Sequence, residues 1–88
     1  MSVFAVAYDL NSPGKDYKKL LDALRAMDSL HAQKSMWLVN TVLLAVPLVQ
    51  ALSQHVDSND AIWASEVTPA WASWKMPAAV TWLRARGL

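Results

Sequence analysis

Eighty-eight residues leave room for one domain, since domains usually run to roughly 100–200 residues. With 55% of residues apolar and 17% charged, the chain is not intrinsically disordered. The absence of cysteine excludes a disulfide framework, a thiol nucleophile and a zinc–thiolate site. A net charge of +1 supplies no global field for nucleic acid, and two glycines exclude a glycine-rich phosphate loop.

Residues 2–10 read as a strand. Val3, Phe4, Val6 and Tyr8 favour extended backbone, and the run is apolar on both faces, which places it centrally in a sheet. Asn11–Ser12–Pro13–Gly14 is a turn cluster, in which Ser12 is suited to cap a following helix with Pro13 at its first position. That helix covers residues 15–27, with Tyr17, Leu20, Leu21, Leu24 and Met27 on one face. Residues 30–41 read as two short strands, about 30–33 and 35–41. Residues 45–56 form a second helix that begins close to Pro47, with Leu48, Leu52 and Val56 in one stripe. Asp57–Ser58–Asn59–Asp60 is a turn by composition. A strand follows at 61–67. Pro77 starts a short third helix with Val80, Leu83 and Trp82 facing inward, and Gly87 ends it.

No membrane segment is expected. The N-terminus carries no basic region of the signal-peptide kind, and Asp9 interrupts its apolar run. Residues 35–56 lack Asp, Glu, Lys and Arg, but Asn40, Pro47, Gln50, Gln54 and His55 break the stretch.

The order of elements predicts a ferredoxin-like α+β fold, βαββαβ, with a core over about residues 2–67 and a C-terminal helical extension over 68–88. Two helices cover one sheet face, so the other must meet water or a partner. The apolar content and five Trp residues point to a homodimer or higher oligomer. The lack of cysteine fits a reducing cytoplasm, the expected location.

Three motifs carry a resemblance. Tyr8–Asp9–Leu10–Asn11–Ser12–Pro13–Gly14, Ser35–Met36–Trp37–Leu38–Val39 and Asp57–Ser58–Asn59–Asp60 are similar to motifs of a group of small SinR-like proteins. The first strand also resembles those of the CRISPR-associated endonuclease-like proteins of spacer acquisition and of their VapD-like toxin relatives. The resemblance implies a homodimer whose sheets meet, with the Asp at the end of the first strand near the dimer axis. Two copies of Asp9 would then hold one Mg²⁺ or Mn²⁺, making Asp9 both metal ligand and catalytic residue of a phosphodiesterase. The chain departs from the CRISPR-associated pattern after Asp9, where Leu10–Asn11–Ser12–Pro13 stands in place of an Arg.

The residues also allow plainer readings. Asp9 can accept backbone N–H bonds of the adjoining turn. Lys15, Lys18, Lys19 and Lys34 form a small basic cluster, either a phosphate-contacting surface or a solvated helix face. Trp71 and Trp74 lie in an irregular segment and are the candidate interface pair. His31 and His55 read as surface or packed residues. Asp57, Asn59 and Asp60 lack the spacing of a calcium loop. Two functions follow: a metal-dependent endonuclease of defence or toxin type, or a non-catalytic scaffold that binds protein or nucleic acid. A nucleotide sensor ranks behind both, for want of a phosphate motif.

Overall fold

The computed structural model describes residues 1–12 and 16–88. The chain runs through strand β1 (Ser2–Asp9), helix α1 (Lys18–Arg25), strands β2 (Asp28–Gln33) and β3 (Met36–Thr41), helix α2 (Ala45–Ser53), strand β4 (Ala61–Glu66) and helix α3 (Pro77–Arg84). The strands form one antiparallel sheet in the spatial order β2-β3-β1-β4. This is a small α+β protein.

β1 is central, paired with β3 on one side and β4 on the other, and is covered on one face and over part of the second. Phe4 and Val6 join Trp37 and Val39 of β3 on one face, against Leu20 and Leu24 of α1 and Leu48 and Leu52 of α2. Six of these eight side chains are fully buried, a dry core that fixes the register of the sheet. Val3 and Leu38 point to the opposite face and meet Ala79 and Leu83 of α3. The expectation that this second face meets only water or a partner is therefore corrected. The C-terminal helix covers part of it within the same chain.

Local chemistry sets the helix ends. α1 begins three residues later than periodicity suggests. Tyr17 adopts φ 48°, ψ 21°, a left-handed conformation that no helix passes through, and the Asp16 carboxylate accepts the Lys18 N–H at 3.1 Å. Among the described residues, Ser12 makes no hydrogen bond to α1. The Ser12 hydroxyl bonds Asp57 and Asn59 instead, while Pro13 and Gly14 lie outside the described residues. α2 ends at Ser53, short of Val56, as the Ser53 hydroxyl and Gln54 amide both donate to the Gln50 carbonyl and compete for its lone pairs. α3 ends at Arg84, and the turn beyond it finishes at Gly87, whose φ of 83° lets Leu88 N–H reach the Leu83 carbonyl.

α3 is pinned at its far end. Arg86 makes a two-pronged contact with Asp28 of β2, at 2.6 and 3.0 Å, and its guanidinium lies 3.7 Å from the Trp82 ring centroid. Asn40 donates to the same carboxylate at 3.0 Å. The Arg86 hydrogen bond, followed by that of Asn40, holds the Asp28 carboxyl below the usual carboxylate range. Among the described residues, no helix is long and apolar enough to cross a membrane.

Candidate functional site

The topology brings the end of β1 beside the start of β4, and there the first and third sequence motifs lock together. The Asp60 carboxylate accepts the Asn11 N–H at 2.7 Å, the Tyr17 hydroxyl at 2.7 Å and the Asp57 N–H at 2.8 Å. The Asn11 amide donates to the Asn59 carbonyl at 3.0 Å, and Asn59 returns a bond to the Asn11 carbonyl at 3.1 Å. The Ser12 hydroxyl lies 2.8 Å from Asp57 and 3.0 Å from Asn59. The turn-capping role weighed for Asp9 thus belongs to Asp60. These Asn, Asp and Ser side chains satisfy loop backbone that would otherwise need water.

Asp9 is exposed at the last position of β1, opposite Ala61. Its carbonyl accepts the Asn11 amide at 3.3 Å, while its carboxylate accepts no hydrogen bond among the described residues. Two hollows flank it. One, of about 370 Å³, is lined by Tyr8, Tyr17, His31, Lys34 and Asp16 among others. Its wall is a relay in which the Trp37 indole donates to the Tyr8 hydroxyl at 3.1 Å and Tyr8 donates to the Lys34 carbonyl at 3.3 Å. The His31 ring stacks on Trp37 at 4.3 Å, with Nε2 3.2 Å from the same carbonyl. His31 is thus a packing residue of the hairpin, in line with its sequence reading.

The other hollow, of about 300 Å³, lies on the sheet surface and is lined by Ala7, Tyr8, Asp9, Ala61, Ile62 and Trp63. Trp63 is 68% exposed. The cause is the strand period. Ile62 and Ala64 pack on the main core, which turns Trp63 and Ser65 to the other face. There Trp63 stands opposite Ala7, beyond the part of the face that α3 covers. The alternation of β4 was the signal that could have marked it as a surface aromatic.

The expected lysine cluster is divided. Lys34 shares the larger hollow with Asp9. Lys18 and Lys19 line a separate groove of about 350 Å³ with Asp16, Asp57 and His55. Lys18 is bound to Asp22 at 2.6 Å, which raises the Lys18 pKa and lowers that of Asp22, each chiefly through that hydrogen bond. Lys15 lies outside the described residues. The two candidate interface Trp residues also part company. Trp71 is half-buried against the α3 core and donates to the Leu88 carbonyl at 3.1 Å, whereas Trp74 is 81% exposed.

Among the described residues no three His, Cys, Asp or Glu side chains group as ligands, and Asp9 brings a single carboxylate. No family model matches the chain, and no solved structure matches it.

Proposed function

We propose that this protein is a non-catalytic binding module of ferredoxin-like fold, a scaffold or regulator within a defence or toxin assembly of the SinR-like kind, working in the cytoplasm. The element order and the strand order β2-β3-β1-β4 support the ferredoxin-like reading. One observation carries the function. An exposed Trp63 stands on the uncovered part of the sheet face, with small Ala7 and Ala61 beside it and Asp9 at the rim. Such a shelf accepts an apolar side chain while a carboxylate receives a cation, the anatomy of an aromatic anchor in a protein contact. The only charge in the lining is negative, so the shelf suits a protein segment better than a phosphodiester.

A second reading, favoured by the unbonded Asp9 carboxylate, is the metal-dependent phosphodiesterase. It needs the Asp9 residues of two copies around one Mg²⁺ or Mn²⁺, because hard cations demand several oxygen ligands. The test is incubation of labelled single-stranded RNA and duplex DNA with the wild type and with Asp9→Ala, with and without each metal. The binding-module reading expects no cleavage in any lane. Metal-dependent cleavage lost in Asp9→Ala overturns it and establishes the second reading.

A further inference from the structure

We infer that two copies of the chain join edge to edge through β4, continuing the sheet across a two-fold axis at Ala64. The proposal is independent of what the Trp63 shelf binds. It starts from the unequal treatment of the two sheet edges. β2, one edge, carries an irregularity between His31 and Gln33, donates from Gln33 to the Met76 sulfur at 3.8 Å, and is clasped at Asp28 by Arg86. β4, the other edge, pairs with β1 without interruption over six residues and contains no Pro, Lys or bulge. Apart from the charge of Glu66 at its last position, it carries none of the residues by which edge strands avoid pairing.

The hydrogen-bond polarity of β4 selects how a second copy fits. The Val67 N–H donates to the Val3 carbonyl at 2.8 Å, so Val67 faces β1. Alternation then turns Ser65, Trp63 and Ala61 toward β1, and leaves the N–H and C=O groups of Glu66, Ala64 and Ile62 pointing outward. An antiparallel partner must place outward-facing residues opposite one another. An axis at Ala64 does so, setting Ala64 against Ala64 of the second copy and Ile62 against Glu66, with no like charges opposed. Trp63 then lies across from Ser65 of the second copy. An axis at Trp63 also matches polarity, but it sets Asp60 against Glu66 twice, a repulsive cross-strand pair. That pair excludes the Trp63 axis, and among the other axes that match polarity the one at Ala64 pairs all three outward-facing residues of β4.

This geometry bears on Asp9. It sits opposite Ala61, three residues from the axis and one strand further out. Strand rise and spacing place the two Asp9 residues about 25 Å apart, too far to share one cation. An edge dimer and a paired-Asp9 metal centre exclude each other.

The chain has no native cysteine, so single Cys variants report the arrangement directly. Hydrogen-bonded antiparallel partners stand about 5.5 Å apart between Cα atoms, within disulfide reach. Ala64→Cys is expected to give a covalent dimer under mild oxidation, and Asp9→Cys is not. Ala64→Pro removes an outward N–H that the β1–β4 ladder does not use, a tolerated edge position. By light scattering the wild type is expected at twice the subunit mass and Ala64→Pro at the subunit mass, with unchanged far-ultraviolet circular dichroism. A monomeric wild type overturns the proposal. So does cross-linking through Asp9→Cys without Ala64→Cys, which would show instead that the sheet faces meet.

Discussion

Asp60→Ala tests whether the loop clasp holds the fold together. The substitution leaves two backbone N–H groups, those of Asn11 and Asp57, and the Tyr17 hydroxyl without their shared acceptor. A hydrogen bond to a charged group contributes about 1.5–3 kcal/mol net when water cannot replace it. Asn11 and Asp57 are exposed, so water takes over there and little is lost. Tyr17 is buried at 9% exposure, and its hydroxyl also accepts the Ser12 N–H at 3.0 Å, so losing Asp60 disturbs the chain before α1 as well. Together these give about 2–3 kcal/mol of destabilisation. For a domain of this size that lowers the melting temperature by roughly 10–20 °C. Thermal unfolding followed by circular dichroism measures it, with Ser58→Ala in the same turn as an exposed control expected within about 0.5 kcal/mol of wild type. If Asp60→Ala melts alongside that control, the motifs are not coupled through this carboxylate and the reasoning fails.

Other outcomes follow from burial. Leu24→Ala, in α1 with no exposed surface, should cost about 2–5 kcal/mol in urea unfolding, because a packed core collapses only partly around a missing isobutyl group. Trp63→Ser, at a 68% exposed position, should leave the urea midpoint nearly unmoved, within about 0.5 kcal/mol; a large loss would show that the indole is a core residue in solution. Val39→Asp, at a buried position facing the helices, should abolish the cooperative transition, since an unpaired carboxylate there has no partner to offset its desolvation.

Local signals in the sequence carried much of this architecture, and non-local ones carried little. Val3 to Tyr8 is apolar at successive positions, and a strand of that pattern is central, as β1 is. Leu20 and Leu24 lie one helical turn apart and share the core, as their spacing requires. Leu83 was recognisable as an inward-facing residue, but not the layer it faces. Its partner Val3 lies at the other end of the chain, and no periodicity reports such a contact. The motifs at residues 8–14 and 57–60 were each legible as turns. Their mutual bonding was hidden because it depends on β1 lying beside β4. Tyr17 illustrates the limit at a helix start. Its place in the apolar stripe is right, since it is buried, yet its left-handed backbone cuts the helix short, which hydrophobic pattern cannot show.

The attachment of α3 gives a pH dependence whose sign follows from the structure. Arg86 and Asn40 both stabilise the ionised form of Asp28, so its folded pKa lies below the ordinary value of 3.8. A carboxyl of depressed pKa binds fewer protons when folded than when unfolded. Its contribution to stability is therefore complete above 3.8 and disappears as pH falls through the lower folded value. Asp28→Asn keeps the size of the side chain but removes that charge. Urea unfolding of the two proteins from neutral pH downward should show wild type more stable by a constant margin, which narrows only below 3.8. Because Arg86 also lies over Trp82, and Trp71 packs in the same cluster, indole fluorescence should report loosening of α3 in Asp28→Asn at neutral pH. A margin that does not change with acidity would mean that the Arg86–Asp28 contact does not hold α3 on the sheet through charge. The covering of that face would then rest on Ala79 and Leu83 packing alone.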